Sequence, residues 1–270
     1  MNSFSLKNKV FVVTGGTGIL GRAFIHGIAA AGGNVGILGR NEQIAEQRVV
    51  EAEAYGVKAL VLVADVTKEN ELIAARDLLL RTFHRIDGIV NAAGGNMPAG
   101  VIQPSDDIFS LNFEGLRQLI ELNLFGTMLP TQVFGKVIAR QGGGSIVNIS
   151  SMASQRAITK VLGYSLAKSA IDMYTKWFAL ELSNRYGDKL RVNAIAPGFF
   201  LTEQNRTLLT REDGSYTERG ELVLKQTPYK RFGDPEELVG ALIWLLSDAS
   251  RFVNGEIINI DGGFSINSGV

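Results

Sequence analysis

The sequence predicts an α/β fold, one doubly wound sheet of seven parallel strands flanked by helices. Three observations predict it. Short β-branched apolar runs alternate with longer segments of helical period along the whole chain. The runs are continuously apolar, as strands buried on both faces of a parallel sheet are. No stretch has the composition of a linker, and no repeat or low-complexity tract interrupts the rhythm, so residues 1–270 read as a single domain.

Residues 10–13 are the first strand, followed by a glycine turn and a helix at about 20–31. The next pairs of strand and helix are 35–38 with 42–55, and 59–63 with 69–83. A strand at 86–91 leads through a loop of small and polar residues into a long helix at 113–140. Then come a strand at 145–149, a helix at 161–186 and a strand at 190–195. An amphipathic helix at 235–247 has Asp234 as its expected cap, and the strand 256–260 closes the series. Two stretches break this rhythm, 94–110 and 199–231. Both follow the C-terminal ends of strands, where open α/β sheets bind ligands. The second is long for a loop, so it is expected to hold a short helix and to act as a substrate lid over about 199–231.

Composition excludes several function classes. The 27 basic residues balance 27 acidic ones, so there is no electrostatic footprint for nucleic acid or an anionic membrane. With no cysteine, disulfides, thiolate metal sites and cysteine nucleophiles are excluded. Only His26 and His84 are present, which argues against a histidine metal centre and a histidine-based serine triad; both are expected to be structural, on helices. Residues 1–9 lack the apolar core of a secretory signal, and no apolar run approaches a membrane span. The expectation is a soluble, cytoplasmic protein with no nucleic-acid or membrane partner and no metal.

Chemistry first shows in Tyr164-Ser165-Leu166-Ala167-Lys168, which follows Ser151 by thirteen residues. On a helix, positions four apart share a face, so the phenol and the ammonium are neighbours. A cation about 5 Å from a phenolate, at an effective dielectric of ~20, stabilises it by about 3 kcal/mol. That is expected to lower a phenol pKa of ~10 by roughly two units. A Ser151 hydroxyl near the same substrate oxygen would complete a device for making or breaking a carbonyl by proton transfer. Alone, a tyrosine and a lysine four apart are commonplace surface neighbours; the surroundings give the pair its meaning.

At the other end, strand 10–13 runs into Thr14-Gly15-Gly16-Thr17-Gly18-Ile19-Leu20-Gly21 and a helix. Strand, glycines and helix in that order let a diphosphate approach the helix N-terminus, which makes this a dinucleotide-binding Rossmann fold. The second strand ends Leu38-Gly39-Arg40-Asn41, with no carboxylate for the adenosine ribose and an arginine instead. A guanidinium there suits a 2′-phosphate, so NADP is preferred over NAD. Arg40 capping a solvated loop is the alternative. Asp65 and Val66 end the third strand where the adenine should lie, and Asn91-Ala92-Ala93-Gly94 ends the fourth. Both are also ordinary turn chemistry.

In these residues the sequence resembles the short-chain dehydrogenase/reductases across essentially its whole length. The resemblance rests on the glycine turn, Asp65-Val66, Asn91-Ala92-Ala93-Gly94, Asn123, Ser151, Tyr164, Lys168 and Pro197-Gly198. It implies that Tyr164 is the general acid/base, that Ser151 rather than Ser150 orients the carbonyl, and that Lys168 holds the nicotinamide ribose and lowers the Tyr164 pKa. Asn123 would anchor a water in the proton relay. Pro197, Gly198 and Thr202 would lie over the nicotinamide. One departure is that glycine stands at 18 and isoleucine at 19, so Thr14-Gly15-x-x-Gly18-x-x-Gly21 looks like the turn of the family's extended members. That turn holds no basic residue, which weighs against NADP. The resemblance also implies a homo-oligomer, usually a tetramer.

A narrower resemblance, in residues 91–98, 194–205, 227–233 and 261–270, is to the family's D-mannonate oxidoreductases (fructuronate reductases). It implies a small-molecule substrate, a keto sugar acid interconverted with its hydroxy acid. Asn96, Arg156, Lys160, Asn205 and Arg206, with Gln204, are the candidates for holding it, since arginine pairs carboxylates bidentately. Each could equally be a solvated loop residue. Other ketones, such as 5-ketogluconate or a 3-ketoacyl thioester, remain alternatives, as does a dinucleotide sensor without turnover.

Overall fold

The computed structural model describes residues 3–202, 206 and 208–269. Seven strands, β1 (Val10–Thr14), β2 (Asn34–Gly39), β3 (Ala59–Val63), β4 (Gly88–Asn91), β5 (Gly144–Ile149), β6 (Leu190–Pro197) and β7 (Ile257–Ile260), form one sheet in the order β3-β2-β1-β4-β5-β6-β7. Every neighbouring pair is parallel. The order reverses between β1 and β4, which opens a crevice at their C-terminal ends.

Alternation along β1 sorts the two cores. Phe11 and Val13 pack against α1 (Ile19–Ala30), α2 (Glu42–Glu53) and α8 (Val239–Leu246). Val10 and Val12 pack against α3 (Glu69–Phe83), α5 (Gly126–Arg140) and α6 (Leu162–Tyr186). A third, small cluster of Leu209, Val223, Leu224 and Phe232 lies apart, around α7 (Glu218–Gln226).

The long helix expected at 113–140 is interrupted. α4 (Phe113–Ile120) passes through a π-helical turn, Glu121–Phe125, before α5 begins. Hydroxyls follow the same path: Thr127 Oγ1 donates to the Asn123 carbonyl at 2.8 Å, and Thr131 Oγ1 to that of Thr127 at 2.7 Å. Such bulges insert one residue into the helical register and often sit at functional sites. The helix expected at 235–247 opens as a 3-10 turn, Pro235–Leu238, with Pro235 in its first turn, where the missing amide costs nothing. Asp234 caps it in a reciprocal box with Glu237. His26 lies in α1 and meets Glu51 at 2.9 Å. His84 ends α3 in a left-handed conformation and so terminates a helix rather than lying within it.

Candidate active site

The glycine turn is shaped by close approach. Gly15 has φ +65°, and a Cβ there would lie 2.8 Å from the Ala92 carbonyl oxygen. A Cβ on Gly21 would come within 2.2 Å of the Gly15 oxygen. Gly18 meets nothing nearer than 3.4 Å; it is the N-cap of α1, without a side-chain cap and without an acid in the first turn. The first amides of α1 therefore face an open cleft, as a dinucleotide diphosphate requires. Thr17, Ile19, Leu20, Ala93, Leu122 and Thr202 line the same cleft.

Arg40, Asp65 and Val66 close its far end. The Arg40 guanidinium is 78% exposed and 3.8 Å from Asp65. Burial would raise the Asp65 pKa, but hydrogen bonds from Thr67 and the charges of Arg40 and Lys68 outweigh it and hold the carboxyl below its ordinary value. Asn41 caps α2 by accepting from the Ile44 amide at 3.0 Å, and sits with Arg40 on the outer rim. These residues fit a dinucleotide.

Two expected contacts act from behind the wall. Thr14 is fully buried, and its hydroxyl accepts the Ala92 and Ala93 amides, each at 3.1 Å, which fastens the glycine turn to the end of β4. Asn91 is also buried: Nδ2 donates to Thr131 Oγ1 at 2.7 Å and to Asn148 Oδ1 at 2.8 Å. Neither side chain lines the cleft: Thr14 ties the turn to the end of β4, and Asn91 ties β4 to β5 and α5. From Asn148 the network runs on to Thr175 on α6 at 2.9 Å.

The second half of the cleft holds Ser151, Tyr164, Lys168, Asn96, Pro197 and Gly198 on its lining. Ser151 follows β5 and starts a 3-10 turn, its hydroxyl accepting the Ala153 amide at 3.1 Å. The Ser151 side chain acts on the Tyr164 phenol, opposing the rise in its pKa. The neighbouring Ser150 turns away to Asp172, which also takes the Ser154 hydroxyl at 2.5 Å. Lys168 is 4% exposed; its Nζ donates to the Ile149 carbonyl at 2.7 Å and lies 5.5 Å from the Tyr164 ring centroid. Asn123, from the π turn, is fully buried and grips Gly95 at both ends, accepting its amide and donating to its carbonyl, each at 2.9 Å. A Cβ on Gly94 would lie 2.6 Å from Asn123 Oδ1 and 3.6 Å from Lys168 Nζ. Asn123, Lys168 and the Gly94–Gly95 loop thus meet at one point.

The electrostatics correct one expectation. Lys168 does not pull the Tyr164 pKa down. Burial pushes the phenol above its ordinary 10.0, and the Ser151 side chain opposes it. Burial also pushes Lys168 down from 10.5 to about 8, with Asp172 opposing. Desolvation penalises the charged form of both groups and is the largest cause at each. At neutral pH the phenol therefore carries its proton.

The expected substrate contacts mostly go elsewhere. Arg156 Nε donates to the Ser265 carbonyl at 2.8 Å and Nη2 to that of Asn267 at 3.1 Å, so it ties down the C-terminal tail. Lys160 sits in a left-handed backbone conformation with its carbonyl accepting the Ile102 amide; its side chain is not on the lining. Arg206 is exposed and off the lining, and Asn205 and Gln204 lie outside the described residues. Asn96 alone keeps its place. Arg219, on α7, does line the cavity and was not singled out by sequence reasoning. Nothing local distinguishes it from the neighbouring lid arginines. Among the described residues no cluster of His, Asp and Glu could hold a metal, and no helix is long and apolar enough to cross a membrane.

Comparison with known proteins agrees with this geometry. A family model described as enoyl-(acyl carrier protein) reductase matches residues 17–265. The uncharacterised oxidoreductase UxuB of Bacillus subtilis is 38% identical over 275 residues, covering 98% of both proteins. A Haemophilus influenzae protein, provisionally assigned as a D-mannonate oxidoreductase and crystallised with NAD, superposes with a TM-score of 0.90 at 37% identity, covering 98% of each. A gluconate 5-dehydrogenase from Burkholderia cenocepacia, solved with NADP and tartrate, has a TM-score of 0.84 at 31% identity, again over 98% of each.

Proposed function

The chain belongs to the short-chain dehydrogenase/reductase family of NAD(P)-dependent oxidoreductases, and we propose that it interconverts a keto sugar acid with its hydroxy acid, D-fructuronate and D-mannonate being the pair. The observation that carries this reading is the convergence of Ser151, Tyr164 and Lys168 on a cavity continuous with the dinucleotide cleft through Leu20, Ala92, Gly94 and Thr202. The relatives with sugar-acid names support the substrate class.

The nicotinamide, when bound, supplies or accepts the hydride at the substrate carbon. In reduction Ser151 and Tyr164 hold the ketone oxygen, and Tyr164 delivers its proton as negative charge develops there. The raised Tyr164 pKa keeps that proton available at neutral pH. Lys168 holds the nicotinamide ribose, its Nζ fixed on the Ile149 carbonyl beside the Tyr164 ring. Asn123 keeps the Gly94–Gly95 loop in place and anchors a water that returns the proton. Pro197, Gly198 and Thr202 cover the nicotinamide, and the segment 199–231 is the lid. Arg40 takes a 2′-phosphate, so NADP is preferred, with NAD accepted. Copies of the protein assemble as a tetramer; Met173, Trp177 and Leu180 on one face of α6, 65%, 55% and 60% exposed, are an apolar stripe suited to burial between them. Sedimentation of the pure protein at the 29.2 kDa mass of a monomer would contradict the assembly.

The test of function is a panel of keto sugar acids, each assayed with NADH and with NADPH. Reduction of D-fructuronate, faster with NADPH, is the expected result. Turnover of 5-keto-D-gluconate or a 3-ketoacyl thioester in its place would replace the substrate. Dinucleotide binding with no turnover of any ketone would make the protein a sensor.

A further inference from the structure

We propose that Arg219 takes the carboxylate of the substrate, so that the lid selects keto acids over neutral ketones; this rests on the sugar-acid reading above. Among the described residues lining the cavity, the cations are Lys168 and Arg219, and no Asp or Glu lines it. Lys168 is already committed to the Ile149 carbonyl on the floor. Arg219 is not. Its only hydrogen bonds to described residues are long ones to Thr159, 3.4 Å to the hydroxyl and 3.3 Å to the carbonyl. A guanidinium carries five N–H donors, so most of its capacity is unspent. It forms no salt bridge with any described residue, whereas Arg231 on the same segment is paired in a fork with Glu237.

The surroundings strengthen the case. Phe199, Phe200, Leu208, Leu209, Ile158 and Val161 make much of the remaining wall apolar. Partial burial already draws the Arg219 pKa down, with desolvation as its cause. A cation held in such a place with no counter-ion among the described residues favours an anion that brings one, and arginine binds carboxylates through two parallel bonds. Position is fixed by packing: Thr217 caps α7 by accepting the Gly220 amide, and a Cβ on Gly220 would lie 2.3 Å from the Leu209 carbonyl oxygen. Arg219 therefore lines the same cavity as Ser151 and Tyr164, which would hold the ketone, and a sugar acid, unlike a simple ketone, presents charge away from its reacting carbon.

The experiment compares wild type, Arg219→Gln, Arg219→Lys and Arg206→Gln on D-fructuronate, 5-keto-D-gluconate and D-fructose, which has a hydroxymethyl group where D-fructuronate has its carboxylate. Arg219→Gln is expected to raise KM for the keto acids about 10- to 100-fold, the range of a charged hydrogen bond, with D-fructose kinetics unchanged. Arg219→Lys should recover part of the loss, and Arg206→Gln should behave as wild type. Calorimetric binding of D-mannonate and of D-mannitol to the dinucleotide-loaded protein reads the same selectivity without turnover. Equal losses on acids and on D-fructose, or the same D-mannonate Kd in wild type and Arg219→Gln, would overturn the assignment and leave the sugar-acid function standing. A wild type that treats D-fructose as well as D-fructuronate would overturn both.

Discussion

The floor of the cleft and its lid hold their side chains by opposite means. On the floor Asn91, Asn148, Thr131 and Thr175 are buried and joined directly to one another through their side chains, and Asn123 and Lys168 are locked onto backbone carbonyls. The lid has a small hydrophobic cluster of its own and local turns, such as Arg211 paired with Ser215 and Tyr216. Among the described residues, its Arg219 is held only by long bonds. The groups beneath the cleft are over-determined, while the group proposed to choose the substrate is left able to adapt. A rigid shell under a chemical site and an adjustable loop above it is a division of labour that physics favours, since misplacement costs most at the reacting atoms.

The sharpest way to break this contrast is on the floor. Tyr164→Phe should lower kcat by roughly 10²–10⁴-fold while leaving dinucleotide binding intact, because general acid catalysis supplies about that much. A variant retaining near-full turnover would take the proton transfer away from Tyr164. Next, Asn123→Ala removes three hydrogen bonds, two to Gly95 and one to the Leu119 carbonyl, and leaves buried backbone groups unpaired. Urea unfolding should show a global loss of about 1–3 kcal/mol, with kcat falling in parallel. A loss of activity at unchanged stability would mean the network is not what holds the loop.

Protonation probes the same floor. Lys168 titrates at about 8 in the folded protein and at 10.5 when free, so between those values the unfolded protein holds a proton the folded one has released. Stability therefore rises with pH across that window, by at most about 1.4 kcal/mol per pH unit from this group. Urea titrations of wild type and Lys168→Met at pH 7, 8, 9 and 10 should diverge in that direction; parallel curves would show that Lys168 is not desolvated. The smallest effect belongs to the lid. Thr217→Ala removes the cap of α7 and the bond to the Leu208 carbonyl, at about 1 kcal/mol. Hydrogen exchange should then quicken in α7 and not in the central strands. Uniform acceleration would mean that lid and floor unfold as one unit.

Much of the floor was legible in the sequence. The Tyr164–Lys168 spacing, Ser151 after an apolar strand, and the glycine turn are local patterns whose geometry follows from a helix or a strand-to-helix turn. All of them meet in the cleft. The interruption at 121–125 was not legible, since residues 113–140 carry a helical pattern and a π turn differs by a single residue of register. Nor was the pKa of Tyr164. A pairwise estimate sees the cation but not the depth of burial, and burial decided the sign.

By itself the sequence determined what backbone periodicity and short-range spacing can specify: seven parallel strands, a dinucleotide turn, and a phenol, an ammonium and a hydroxyl that line one cavity. Tertiary structure decided what depends on residues far apart in the sequence. It turned Arg156 toward Ser265 and Asn267, put Arg206 on the surface and aimed Arg219 into the cavity. These arginines have the same chemistry and similar local settings. The direction each guanidinium takes is set by which distant segment packs against its loop, and no local pattern encodes that.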